Sequence, residues 1–358
     1  RSARDIAEQT DAVGAQLNAF TSKECTCYYI KVIDEHIELA MDILSDMVLN
    51  STLSDEELAK EKGVIIEEIG MNEDSPEDVV FGMLAKSLFG DHALGMTILG
   101  PSSNIRAFER KDLYNYRARM YRPGNTVLAL AGHYDWNRVV ELAKRMFGSW
   151  QAGGESSDMA KCELKYGVER REKDIEQVQI CLGLKGVEMG SKDTYALSIF
   201  NNLFGGAMSS RLFQRIREEQ GLAYSVYSYP TSYRDCGALA IYAGTGPDHA
   251  QQVLKSLREE IDRVVNEGVS EKEFLQAREQ LKGSYILGLE SASSRMSALG
   301  RRMLLMGDTM NEDTVIRRIN EVTLDEVNRV MRESLTGDYA AALIGKGVVA
   351  LDLSMFGK

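Results

Sequence analysis

Leu53-Ser54-Asp55-Glu56-Glu57-Leu58 and Val269-Ser270-Glu271-Lys272-Glu273-Phe274 carry the same signal, about 215 residues apart. In each, a serine precedes a charged turn and a glutamate follows three residues later. The serine oxygen accepts from an early helix N–H and the glutamate reaches back, which is a capping box at the start of a long helix. Working outward, the same order of elements leads into both. Before the first come an alternating strand over residues 17–32, a junction at Asp34-Glu35-His36, and a helix with apolar residues at Ile37, Ala40, Ile43, Leu44, Met47 and Val48. Before the second come strands over 223–229 and 238–243, a junction at Pro247-Asp248-His249, and a helix with Val253, Leu254, Leu257, Ile261, Val264 and Val265. Both stripes follow the 3.6-residue period. So long a period means a duplicated domain rather than a solenoid.

The polar, glycine-bearing stretch Gln151-Ala152-Gly153-Gly154-Glu155-Ser156-Ser157-Asp158 divides the copies. The division is a first domain over 1–150, a linker over 151–165 and a second domain of the same fold over 166–358. A strand over 126–131 and a helix over 137–147 close the first. An alternating strand with Val178, Ile180, Leu182 and Leu184 opens the second. The fold class is α+β, each homologous domain a mostly antiparallel sheet covered by helices.

The 358 residues suit two domains. Lys and Arg number 42 against 54 Asp and Glu, a net charge of −12, which excludes a nucleic-acid partner that would need clustered positive charge. No run of 18 apolar residues is present, so no membrane partner is expected. Five unclustered cysteines read as reduced thiols and a cytoplasmic location. Cys25 and Cys27 read as neighbours on one strand face and not as a soft-metal pair, since no second Cys/His pair lies nearby. Arg1, with no Met before it, runs straight into a helical pattern at Ala3, Ile6 and Val13, and reads as the edge of a larger protein.

The helix after Ser54 carries Glu56, Glu57, Glu61, Glu67, Glu68 and Glu73. Seven residues turn through about 700°, about 20° short of two full turns. Glu61 and Glu68 therefore share a face, Glu67 points elsewhere, and Leu58, Ile65 and Ile69 line a neighbouring stripe. A charge run on one helix often marks a solvated surface. The duplication argues otherwise. Aligning Ser54 with Ser270 sets Glu61 opposite Ala277 and Glu68 opposite Ser284. Only the first copy carries the pair, which points to chemistry.

Arg1-Ser2-Ala3 leads into Gly14-Ala15-Gln16-Leu17-Asn18-Ala19-Phe20-Thr21-Ser22. Further on come Glu61-Lys62-Gly63-Val64-Ile65-Ile66-Glu67-Glu68-Ile69 and Gly90-Asp91-His92-Ala93-Leu94-Gly95. The second half has Gly205-Gly206-Ala207-Met208-Ser209-Ser210-Arg211-Leu212-Phe213 and Ile216-Arg217-Glu218-Glu219-Gln220-Gly221-Leu222-Ala223-Tyr224-Ser225-Val226. Over essentially its whole length the chain resembles the pitrilysin-type zinc metallopeptidases, the insulinase and mitochondrial processing peptidase group, in its bacterial processing-peptidase-like branch.

The resemblance implies half of a clam-shell endopeptidase that cleaves extended peptides or presequences in a closed chamber. Its zinc sits on an inverted H-x-x-E-H helix plus a later glutamate, and an open position holds a water that the metal acidifies. By resemblance Glu68 is that zinc ligand and Glu61 the accessory catalytic carboxylate. The four histidines, His36, His92, His133 and His249, form no H-x-x-E-H. The resemblance places that motif just before Arg1. The chain thus lacks two zinc ligands and the general base, and tight zinc is expected only with the upstream segment present. A lone carboxylate supplying a third of a structural site's roughly 10–16 kcal/mol binds at about millimolar.

The resemblance also makes Asn18, Ala19 and Phe20 part of a sheet edge to which substrate adds as a strand. Read alone, the segment is an ordinary strand. Arg217 and Tyr224 are implied to hold the substrate, Arg as a rigid donor fork and Tyr as a hydroxyl for a developing oxyanion. Gly205-Gly206 reads as a helix-ending turn, because no Lys-Ser/Thr follows to make a phosphate loop. Gly244-Thr245-Gly246 lacks the third glycine of a dinucleotide turn. His92 reads as a turn histidine. The partners implied are a peptide substrate and either a second copy, as a homodimer, or a bound N-terminal fragment. The competing reading is a non-catalytic scaffold or partner subunit of the same fold.

Overall fold

The computed structural model describes residues 1–151 and 160–357, so the dividing stretch lies outside the described residues beyond Gln151. Its helices and strands run α1 Ala3–Asp11, β1 Gln16–Thr21, β2 Thr26–Lys31, α2 Ile37–Leu49, α3 Asp55–Asp74, α4 Pro76–Phe89, α5 Ser102–Ala107, α6 Arg110–Met120 and α7 Trp136–Phe147. They continue with β3 Val168–Glu172, β4 Val178–Lys185, α8 Thr194–Asn201, β5 Ala223–Ser232, β6 Gly237–Thr245, α9 Ala250–Glu267, α10 Glu271–Gly288, α11 Ala292–Met306, α12 Glu312–Glu321, α13 Leu324–Leu335 and β7 Ala340–Gly345. Among the described residues no helix is long and apolar enough to cross a membrane.

Two compact units form. The first gathers the described residues of Arg1–Glu67, Ile98–Met159 and Gly288–Thr309; the second gathers those of Glu68–Thr97, Ala160–Leu287 and Met310–Lys358. In the first, β1 and β2 make an antiparallel hairpin with Asn18 opposite Tyr29 and Phe20 opposite Cys27. The single strand expected over residues 17–32 is therefore two. Ser22 causes the break: its N–H donates to the Cys25 carbonyl at 2.8 Å, and its Oγ accepts from the Cys25 N–H at 3.2 Å. Cys25 thus belongs to the turn and only Cys27 to a strand. Residues 126–131, expected as a strand, pair with nothing among the described residues; Thr126 has an extended backbone (φ −135°, ψ 141°) but no ladder partner. Helices α2 and α7 pack around Met41, Val139 and Leu142.

The second unit has a five-stranded sheet in the order β3-β7-β4-β6-β5, with β3–β7 parallel and the other pairs antiparallel. The alternation read in β4 is between two cores, not between core and solvent. Ile180, Leu182 and Leu184 face α8, α9 and α13, while Cys181 faces α4 through Val80, Leu84 and Leu88. Each such fully buried aliphatic side chain contributes about 1.5–3 kcal/mol.

The duplicated order is visible directly. Each copy runs hairpin, one 3₁₀ turn, helix, capped helix: β1–β2, Asp34–His36, α2, α3, and β5–β6, Pro247–His249, α9, α10. Ser54 and Ser270 stand at equivalent helix starts, with Oγ accepting from Glu57 N and Glu273 N, each at 3.3 Å. Only the second box is reciprocal, Glu273 Oε2 accepting from Ser270 N at 3.0 Å. Glu57 instead takes Lys60 Nζ at 2.9 Å, one helical turn on.

Glu273 also holds Arg211, Nε to Oε1 at 2.7 Å, beside buried Glu260, which pairs with Arg263 at 3.0 Å. Burial pushes the Glu273 carboxyl up, but hydrogen bonds from Arg211 and Ser270 outweigh it and leave the pKa at about 2. Glu260 is raised by burial against Arg263 and Arg211. Glu273 has its folded pKa below the unfolded value of about 4.3, so its contribution is complete above that value and lost as pH falls through about 2. Glu273→Gln is expected to cost about 2 kcal/mol at neutral pH and to flatten the loss of stability between about pH 4.5 and 2. Denaturant unfolding across that range measures both. An unchanged acid limb would show that the pair contributes nothing.

Candidate functional site

Helix α3 starts where Ser54 caps it, and three acidic residues, Asp55, Glu56 and Glu57, follow in its first turn, where the helix dipole favours negative charge. It ends at Ser75, which caps α4 with Pro76 in the first turn. No residue of α3 is fully buried; Leu58, Ile65 and Ile69 form the half-buried stripe, and Glu61 and Glu68 are exposed. The pair lies about 10 Å apart along the helix axis. Three other carboxylates of α3 are engaged, Glu56 and Glu57 with Lys60, each at 2.9 Å, and Glu73 with Arg171 at 2.8 Å. Among the described residues neither the Glu61 nor the Glu68 carboxylate has a hydrogen bond or ion pair. Lys62 between them donates instead to the Arg106 carbonyl at 3.1 Å. Two exposed carboxylates two turns apart on one face of a helix, absent from the equivalent helix of the second half, make a candidate for metal or proton chemistry.

Among the described residues no three His, Cys, Asp or Glu side chains gather where one metal ion would reach them all. His92 is a turn histidine, Nδ1 accepting from Leu94 N at 3.2 Å and Nε2 2.9 Å from the Ala160 carbonyl. His133 Nδ1 meets Asp34 at 2.7 Å. A zinc ion on Glu68 needs at least two more protein donors. The described residues do not supply them.

Asn18, Ala19 and Phe20 share β1, which pairs with β2 on one side only. At the open edge the Ala19 N–H donates to its neighbour's Asn18 Oδ1 at 2.8 Å. Phe20 is 44% exposed and leans on Tyr29, ring centroids 6.3 Å apart. A peptide strand arriving at this edge would meet small and polar side chains and one aromatic ring.

Arg217 and Tyr224 come together in the second unit. The Arg217 guanidinium carbon lies 4.6 Å from the Tyr224 ring centroid. Two local irregularities arrange this, and neither was read from the sequence. Residues Phe213–Glu219 form a π-helix, a rare form that is frequent at functional sites. Tyr224 is the extra residue of a β-bulge, since Ala223 pairs with Thr245 and Ser225 with Gly244. A bulge re-aims a side chain, and Tyr224 is 74% exposed at the end of a buried sheet. Between them Gly221 takes φ +62°, a left-handed turn that favours glycine.

A second π-turn, Asn202–Gly206, ends α8 at the glycine pair, in keeping with the helix-ending turn. A Cβ on Gly205 would stand 2.5 Å from Ser228 Oγ, so glycine is needed for the close approach to β5. Asn18, Ala19, Phe20 and Glu61 thus lie in the first unit, and Glu68, Arg217 and Tyr224 in the second, the division falling within α3.

Residues 1–102 match the family described as Insulinase (Peptidase family M16), and residues 107–281 match the Peptidase M16 inactive domain. A protein of Bacillus subtilis named "Uncharacterized zinc protease YmxG" is 45% identical over 344 residues, 96% of this chain and 84% of that protein. An uncharacterized zinc protease of Streptomyces coelicolor is 38% identical over 96% of this chain and 77% of its own length. The crystal structure of a peptidase M16 inactive domain from Pseudomonas fluorescens superposes with a TM-score of 0.89 at 21% identity, over 97% of this chain and 84% of that one. A protease from Helicobacter pylori gives 0.88 at 20% identity, over 95% and 84%. With relatives this similar along nearly its whole length, the chain belongs to the insulinase (M16) family of peptidases.

Proposed function

We propose that this chain is the zinc-site and substrate-closing half of a zinc-dependent endopeptidase that cleaves extended peptides. Glu68 is a zinc ligand and Glu61 an accessory carboxylate of the same site. The substrate adds to the open edge of β1 at Asn18-Ala19-Phe20 through main-chain hydrogen bonds, which demand little of its sequence. Arg217 binds the substrate backbone, and the Tyr224 hydroxyl faces the scissile carbonyl as negative charge develops on its oxygen. The observation that carries this reading is the presence of Glu61 and Glu68, exposed on one face of a helix whose copy in the second half has alanine and serine instead. The other zinc donors and the general base belong to an H-x-x-E-H segment, on the same polypeptide or on a fragment bound to it. The division into domains 1–150 and 166–358 and a cytoplasmic location are parts of the same proposal.

The alternative is a non-catalytic subunit, and one observation favours it: the fold is also that of a chain in complex III2 from Candida albicans, with a TM-score of 0.85 at 19% identity. A quenched-fluorescence peptide assay separates the two. A polypeptide supplying the H-x-x-E-H segment is expected to cleave an unfolded peptide near neutral pH, to stop on chelation and to recover with zinc. A zinc-loaded preparation that leaves unstructured peptides intact would sink the peptidase reading and leave the scaffold.

A further inference from the structure

We infer that Phe213 is a positioning residue, which restrains the direction of the Arg217 guanidinium by setting a second aromatic ring against it. The inference rests on the proposed role of Arg217 in holding substrate. The guanidinium carbon lies 4.8 Å from the Phe213 ring centroid and 4.6 Å from that of Tyr224, so the cation packs against two aromatic rings. Each element has a local cause. Leu212 and Ile216 are fully buried and anchor the inner face of the π-helix. That sets Phe213 and Arg217, four residues apart, side by side on the next face, half-buried.

The helix then stops at once. The N–H groups of Gln220 and Gly221 both donate to the Arg217 carbonyl, the latter at 3.2 Å, and Leu222 N donates to the Ile216 carbonyl at 3.0 Å. This tight reversal, with the bulge at Tyr224, returns the chain over the guanidinium.

An arginine stem has many rotamers, and an unrestrained guanidinium aims its donors in many directions. Two aromatic rings against the cation narrow that freedom. Nε is 3.7 Å from Glu218 Oε1, and among the described residues no acceptor engages the two terminal nitrogens. The rings therefore restrain the cation without consuming the donors that a peptide carbonyl would take. Phe213 acts through Arg217 and needs no contact with substrate.

The test compares Phe213→Leu, which keeps bulk and removes the π face, with Phe213→Tyr, which restores it, in the zinc-loaded peptidase. Phe213→Leu is expected to lower kcat/KM about tenfold, mostly through KM, and Phe213→Tyr to stay within about twofold of wild type. In an Arg217→Ala background Phe213→Leu should have no further effect. The ¹⁵N-resolved Nε–H signal of Arg217, shifted by the two ring currents, should move in Phe213→Leu and return in Phe213→Tyr, and this readout needs no turnover. Wild-type kcat/KM in Arg217→Ala would overturn the role of Arg217 and the inference with it. An impaired Arg217→Ala beside an unimpaired Phe213→Leu, a full additional tenfold loss in the double variant, or an unmoved Nε–H signal would overturn the positioning role alone.

Discussion

Glu68→Gln, in a polypeptide that also supplies the H-x-x-E-H segment, is expected to lose its zinc, whereas Glu61→Gln keeps most of the metal and loses rate. The two residues share a helix, a face and an exposed setting, and neither is tied to a cation. A structural account treats them alike, and the ligand assignment does not. A carboxylate offers zinc a charged oxygen at about 2.0–2.2 Å, and the amide that replaces it is neutral and a far weaker donor. Removing a group that only orients a ligand already costs about 10–100-fold in metal affinity, so removing a ligand should exceed about 100-fold. Zinc content after dialysis against a defined free-zinc buffer reads this without turnover. The folded state is a small risk, because α3 buries no residue completely and glutamine suits a helix surface as well as glutamate does. Equal zinc occupancy in wild type and Glu68→Gln would remove Glu68 from the ligand set. A Glu61→Gln variant as empty as Glu68→Gln would put both carboxylates on the metal.

The elements that were legible in the sequence are those whose signal is local and periodic. The stripes of α2 and α9, the caps at Ser54 and Ser270, and β4, β5 and β6 follow from spacing alone. The features that were not legible depend on partners far along the chain. Residues 126–131 have strand composition, yet a strand exists only where a neighbour takes up its hydrogen bonds, and among the described residues the sheet of the first unit pairs only β1 with β2. The hairpin at Ser22 hides in a segment that alternates on both sides of the turn. The π-helix at Phe213 and the bulge at Tyr224 leave no mark in hydrophobic period, because one extra residue per turn or per strand looks like noise in a short window. The Phe213–Arg217 spacing was the available clue, since residues four apart meet on a helix face. The carboxylate pair was legible for another reason: the duplication supplied its own control, a second helix with the same cap and no pair.

Tyr224→Phe isolates the hydroxyl, because phenylalanine keeps the ring that stacks on Arg217 and removes only the donor. The bulge carries this side chain out of the sheet to 74% exposure, so the hydroxyl is solvated in the free protein and its loss leaves no buried group unsatisfied. Stability should therefore change by less than about 0.5 kcal/mol. Turnover should change much more. A donor aimed where negative charge develops acts in the transition state and not in the ground state, and losing one typically costs about 10²–10³ in kcat. The loss should thus fall on kcat with KM little changed. Arg217→Ala should show the opposite split: a charged donor to a peptide carbonyl is worth about 1.5–3 kcal/mol in both ground and transition states, which raises KM about 10–100-fold and spares kcat. Neither variant should alter zinc content, since neither residue is a metal donor. Steady-state kinetics on one unstructured peptide, with zinc measured on the same samples, decides the matter. Wild-type kcat in Tyr224→Phe would leave the hydroxyl without a catalytic role and reduce Tyr224 to one of the two rings that hold Arg217.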